Sequence, residues 1–201
     1  MAYKAAMDTE IEKTRERILE AANARFRQYG YGKTTMNEIS ADCDMSAANL
    51  YRFFDNKQDI GATLVGRHFA EEAEKLREIV RRRAPASVRL NDFALALLEH
   101  TYSRTADETK ISELVEMICT ERFDVLELHV RTKRSLLAEL LATGNASGEF
   151  DVADCDETAA TISAALIMFD FPPLMKRSSL DELKDRAEKV VKLLLQGLKK
   201  R

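Results

Sequence analysis

Apolar residues recur every three to four positions along almost the whole chain, and alternation with period two is nearly absent, so the pattern predicts an all-α protein. A first helix spans about Asp8 to Tyr29, with Ile11, Ile18, Ala22 and Phe26 on one stripe. Gly30 ends it in the manner of a left-handed C-terminal cap. The second helix opens at Thr35, where Thr35-Met36-Asn37-Glu38 spells a capping box, and it turns Met36, Ile39 and Cys43 inward. After a turn at Asp44-Met45, Ser46 caps a third helix that ends near Phe53. Asn56 or Asp55 then caps a long fourth helix that reaches about Arg83 and stops before Pro85.

Five more helices follow, giving about nine. The fifth, about 88–103, carries Leu90, Phe93, Ala94, Leu97 and Thr101 on one face. The sixth, about 109–120, uses Ile111, Leu114, Val115 and Ile118, and the seventh, about 123–143, uses Leu126, Val130, Leu137 and Leu140 before a loop from Gly144 to Gly148. Asp154 with Glu157 caps an eighth that ends before Pro172-Pro173, and Ser179 with Glu182 caps a ninth bearing Leu180, Leu183, Ala187, Val190, Val191 and Leu194. The broad apolar faces of the eighth and ninth helices point to a homodimer closed by a two-fold four-helix interface. The alternative is that they close the core of a single chain. No repeat or long linker divides the sequence, so the boundary falls inside or at the start of the fourth helix, with domains 1–58 and 59–201.

The second and third helices have the layout of a helix-turn-helix. A recognition helix enters a major groove about 12 Å wide, so its outward residues must be small, or polar and able to reach base edges. Ala47, Ala48, Asn49 and Arg52 meet that requirement, while Met45, Leu50 and Phe54 point inward. Asn49 can pair with adenine and Arg52 with guanine through two hydrogen bonds each. Thr35 stands at a helix N-terminus, where its hydroxyl and free N–H groups suit a phosphate, and Tyr51 and Lys57 would grip the backbone on either side; the cap Ser46 and the cation Lys33 complete the expected DNA-binding set. The competing reading of Ser46–Phe53 is an ordinary surface helix.

Charge restrains this reading. The chain of 201 residues has a formal net charge of −3, and within residues 1–60 nine Lys and Arg face ten Asp and Glu. Affinity for double-stranded DNA comes largely from neutralised phosphates, so binding must rest on a few placed cations. Composition otherwise fits a helix-rich globular protein, with 45% hydrophobic and 32% charged residues. The N-terminus lacks the apolar segment of a signal peptide, no apolar run nears the roughly 18 residues of a membrane span, and no membrane partner is expected. Cys43, Cys119 and Cys155 are too few and too scattered for a disulfide framework, which makes a cytoplasmic location the expectation.

Residues 14–60 resemble the DNA-binding domain of the TetR/AcrR family of transcriptional regulators. The matching pieces are Ile18-Leu19-x-Ala21-Ala22, Phe26, Gly30-Tyr31, Thr34-Thr35, Glu38-Ile39, Ser46, Leu50-Tyr51, Phe54 and Lys57. The resemblance implies a dimeric, nine-helix protein, usually a repressor, released from a palindromic operator when a small molecule fills its C-terminal domain. An activator of the same family is the alternative. Two departures are Asp44, where the family turn usually has Gly, and Phe53, where His or Tyr is common. Asp tolerates the left-handed conformation better than most residues, so the turn is expected to survive.

Other chemistry is sparse. Gly30-Tyr31-Gly32-Lys33-Thr34 resembles the tail of a P-loop, but Arg27 stands where Gly is needed and a helix precedes it. No nucleophile elbow, paired His/Asp/Ser set or glycine-rich cofactor loop supports catalysis, so neither an enzyme nor a cofactor is expected. An all-α carrier or enzyme with a vestigial helix-turn-helix remains the rival from another class. His100 and His129 are the candidates for sensing a small organic effector, with Phe93, Met117 and Phe123 lining the same pocket. The alternative for both histidines is a hydrogen-bonded place in the core. No His or Cys pair has metal-ligand spacing within one helix. His68 lies on the fourth helix, and the sequence assigns it no role.

Overall fold

Local signals set most of the helix ends. The computed structural model describes residues 2–107, 109–175 and 177–199, with side chains at all of these but 2–6, 8, 104–107, 109, 111–113 and 173. The helices are α1 (Ala2–Tyr29), α2 (Met36–Asp42), α3 (Ala47–Leu50), α4 (Lys57–Arg81), α5 (Ala86–Asp107), α6 (Thr109–Glu121), α7 (Phe123–Ala146), α8 (Cys155–Ala165), α9 (Pro172–Met175) and α10 (Leu180–Leu198). No strand forms among the described residues, and the protein is all-α as expected. Gly30 at φ 90° ends α1, its N–H bonded to the Phe26 carbonyl. Capping boxes open α2 at Thr35 and α10 at Ser179. Asp154 caps α8 through the N–H groups of Asp156 and Glu157, and Asn56 rather than Asp55 accepts the Asp59 N–H at the start of α4.

Two helix ends depart from the local signals. The N-terminus of α5 is capped from afar: the Glu149 carboxylate accepts the N–H groups of Ala86 and Ser87 at 2.6 and 2.9 Å. That starts the helix two residues before the sequence pattern does. The expected eighth helix stops at Ala165 instead of running to Pro172. A 3-10 turn, Ile167–Phe169, and the single-turn α9 follow, with Phe169 and Met175 buried. The 3-10 turn winds more tightly than an α-helix, and Phe169 in it is buried with Asp170 after it half-buried.

The chain forms two compact units that interleave in sequence. One comprises Met1–Arg67 and Glu108–Val125, the other His68–Asp107 and Leu126–Arg201, so α4 contributes to both. In the first, Ile18, Leu19, Ala22 and Phe26 of α1 bury against Ile39, Leu50, Phe54 and Ile60, with Leu114 and Ile118 of α6. Ile111, expected on the same face, lies outside the described side chains. Gly61 allows α4 and α6 to approach closely, since a β-carbon there would stand 3.0 Å from Ile118 Cδ1. Ile11 is 47% exposed despite its place on the predicted stripe. Side chains that tie α1 to its neighbours begin one to two turns later, at Arg15, Glu16 and Arg17.

In the second unit, α5 packs along α10, and a continuous core gathers Leu90, Phe93, Leu97, Leu137, Leu140, Phe150, Ile162, Phe169, Leu183 and Val191. Gly144 of α7 is in van der Waals contact with the Phe150 ring; an added β-carbon would stand 2.2 Å from it.

Candidate nucleic-acid interface

The α2–turn–α3 segment is built from side chains that bond within three residues of one another. Glu38 accepts from the Thr35 N–H and hydroxyl at 2.8 Å each, and the Thr35 oxygen accepts the Glu38 N–H. These bonds favour the charged form and hold the Glu38 carboxyl below its usual range. Asp44 adopts φ 49°, the left-handed turn expected where the family has Gly. Ser46 then accepts the Asn49 N–H and opens α3. The helix is shorter than the sequence pattern: after Leu50 the chain tightens, with Arg52 and Phe53 N–H groups bonding to the carbonyls of Asn49 and Leu50.

This geometry divides α3 and its flanks into two faces. Leu50 and Phe54 are buried, and Met45 is half-buried beside Asn49, whose amide nitrogen lies 4.0 Å from its sulfur. Ser46, Ala48, Tyr51 and Arg52 are exposed, Ala47 and Asn49 half so, and Lys33 and Thr35 stand in solvent at the start of α2. Ser46, Ala47, Ala48, Asn49, Tyr51 and Arg52 thus lie along α3 and at its two ends, each at least partly open to solvent.

Arginines of α1 brace that segment from behind. Arg15 lies 4.1 Å over the Phe54 ring and donates to the Phe53 carbonyl, while Arg17 donates to the Cys43 carbonyl at 2.8 Å. Arg25 binds both oxygens of Asp42 and lies 3.4 Å from Glu38. The Arg25 guanidinium holds the Asp42 carboxyl below its usual range. None of the three arginines was singled out in the sequence, because their acceptors, mostly backbone carbonyls, lie 17 to 38 residues away.

Lys57 has a different place from the one expected. Its ammonium donates to the carbonyls of Tyr31 and Thr34, both at 2.7 Å, and stands 4.3 Å from the Tyr31 ring centre. Burial pushes its pKa down. Two of its three N–H donors are thus spent on the loop between α1 and α2. The reason is reach: a four-carbon stem at the first turn of α4 spans to carbonyls of the loop that follows α1. Thr35 is likewise engaged, so a phosphate at that helix start would compete with Glu38.

A second polar cluster lies in the other unit. Glu72 of α4 and His129 and Lys133 of α7 are 3%, 7% and 4% exposed. His129 Nε2 is 3.2 Å from Glu72 Oε2, and Lys133 forms an ion pair with Asp170. The His129 ring stacks on Phe69 at 3.7 Å, and His68 stacks on His100 at 4.6 Å. Burial above all, aided by the nearby charge of Lys133, pushes the His129 pKa down to about 2, so its imidazole is neutral even beside a carboxylate. Burial also pushes the Asp170 carboxyl up, against the pull of Lys133. Of the five effector candidates, Phe93 is in the core of this unit, His129 in the cluster and His100 half-buried. Met117 and Phe123 belong to the other unit, and the Phe123 ring is 67% exposed at the first position of α7. Glu72, Lys133 and Asp170 escaped the sequence reading because no local pattern links them.

Known proteins resemble both halves of the chain. "Bacterial regulatory proteins, tetR family" matches residues 18–62, and "Tetracyclin repressor-like, C-terminal domain" matches residues 86–191. The uncharacterized HTH-type transcriptional regulator YhgD of Bacillus subtilis (strain 168) is 25% identical over 80% of this chain and 87% of its own. The HTH-type transcriptional repressor BepR of Brucella suis biovar 1 (strain 1330) is 23% identical over 79% of this chain and 78% of its own. The crystal structure of the transcriptional regulator FadR from Bacillus subtilis in complex with stearoyl-CoA superposes with a TM-score of 0.66 at 19% identity, covering 91% of this chain and 98% of that one. No helix among the described residues is long and apolar enough to cross a membrane. With a C-terminal match that spans more than half of its length and a helix-turn-helix match before it, the chain belongs to the TetR family of transcriptional regulators.

Proposed function

We propose that this regulator is a cytoplasmic homodimeric repressor that binds a palindromic operator and leaves it when a small organic molecule enters the C-terminal part of the chain. The observation that carries the reading is α3 with the turn after it, where half-exposed Asn49 and exposed Arg52 flank buried Leu50. In the groove, Asn49 and Arg52 read base edges, Ala47 and Ala48 allow close approach, and Ser46, Tyr51 and Lys33 meet phosphates. Lys57 sets the position of the loop that carries Lys33. Residues 1–58 form the DNA-binding part and 59–201 the part that senses and dimerises. The repressor role of BepR and the stearoyl-CoA in the FadR crystal structure support the regulatory direction and an organic effector. Phe93, His100 and His129, which share one unit, are the proposed lining.

The dimer would close through α8 and α10. Leu193 of α10 is 69% exposed, and Ile167, Phe171 and Leu174 between α8 and α10 are also exposed. Burying such a patch against its two-fold copy removes apolar surface from water and pairs two recognition helices about one DNA turn apart. The decisive experiment is a binding selection on random duplexes at moderate salt. A two-fold symmetric motif is expected, and recovery of no enriched motif refutes the reading.

A further inference from the structure

We propose that Glu72, His129 and Asp170 form a binding site for one divalent first-row metal ion of the Zn2+, Fe2+ or Mn2+ class. One oxygen from each carboxylate and one imidazole nitrogen lie within 4.8 Å of one another. Bonds of about 2.0–2.2 Å to such donors place neighbouring ligands roughly 3–4 Å apart around one ion, so only a small closure is needed. The three donors come from α4, α7 and the turn after Phe169, which is why no spacing within a single helix announces them.

The histidine is prepared for ligation. It is 7% exposed, its ring is fixed face to face with Phe69, and its Nδ1 is buried with no hydrogen-bond partner. Buried ring nitrogens are normally satisfied; among the described residues this one is not, while Nε2 stands 3.2 Å from Glu72 Oε2. Lys133 marks the place of the cation, since its ammonium already rests on Asp170. A metal ion would take that place, and the flexible lysine stem lets the ammonium withdraw. One nitrogen and two carboxylate oxygens suit borderline and hard divalent ions rather than soft Cu(I), with water completing the shell.

The test uses the full chain, stripped with EDTA and titrated with Zn2+ or Co2+ alone, without DNA, so that its outcome is independent of the repressor reading. About one ion per chain is expected, and the Co2+ spectrum should show nitrogen and oxygen ligation with no thiolate charge-transfer band. His129→Gln and Asp170→Asn should each weaken binding at least ~10-fold, and Lys133→Met should tighten it. Absence of binding by the wild type, a thiolate band from the cysteines, or unchanged affinity in both ligand variants would overturn the proposal. Should the variants fail to fold, X-ray absorption of the Zn2+-loaded wild type decides: nitrogen and oxygen donors only are expected, and sulfur ligation refutes the site.

Discussion

The helix-turn-helix and the buried cluster of the second unit both spend polar side chains, but in opposite surroundings. Around α2 and α3 the caps link neighbours: Thr35 with Glu38, and Ser46 with Asn49, each three residues apart and exposed. In the second unit the partners are remote, with Lys133 reaching Asp170 across 37 residues and Glu149 reaching Ala86 across 63. An exposed polar group exchanges one set of hydrogen bonds for water at little cost, which leaves it free to serve recognition. A buried charge has no such exchange, so its loss falls on folding. Substitutions in the two regions should therefore separate binding from stability.

The largest effect is expected from Lys133→Ala, which strands the Asp170 carboxylate in the interior. Urea unfolding should show a loss of about 3–5 kcal/mol, most of it recovered when Asp170→Leu accompanies Lys133→Met. A loss below about 1 kcal/mol, the range of an exposed ion pair, would erase the contrast between the regions. Lys57→Met comes next, because two charge-assisted bonds to the Tyr31 and Thr34 carbonyls disappear. A drop of about 1.5–3 kcal/mol in stability is expected, with the preferred DNA sequence unchanged. Unaltered stability with uniformly weaker DNA binding would instead make Lys57 the phosphate contact that its sequence position suggests.

Arg52→Ala should leave the melting temperature as it is and cost about 1–3 kcal/mol of discrimination at one base, read by repeating the selection with the variant. If the selected motif is unchanged, another residue reads that base. Ser46→Ala removes the α3 cap and should cost about 1 kcal/mol. Ser46→Asp should restore stability in thermal melts yet depress DNA affinity, since its carboxylate would face phosphate. The smallest effect concerns acid. The Glu38 and Asp42 carboxyls have lowered pKa values in the folded chain, from Thr35 and Arg25 respectively. Their contribution is present above the ordinary carboxylate range and is lost as pH falls through the lowered folded values. Melting curves should decline on the acid side, and less so in the Glu38→Gln, Asp42→Asn double variant.

Much of the first unit was legible because its signals are short-range. The Thr35-x-x-Glu38 box, Gly30 at φ 90°, Asp44 at φ 49° and the Ser46 cap each act within a few residues. The inward pair Leu50 and Phe54 follows from helical periodicity alone, and both are buried. Lys57 is the instructive exception, since whether a lysine faces solvent or its own protein depends on which carbonyls come within reach.

In the second unit the sequence determined that helices form and which faces are apolar, because propensity and period 3.6 are properties of a local segment. Tertiary structure alone decided that α8 stops at Ala165, that Glu149 caps α5 and that Asp170 meets Lys133. It also brought Glu72 and His129 together from α4 and α7. Those meetings need partners dozens of residues apart, and no local pattern encodes a contact whose two halves are ordinary residues until the chain folds.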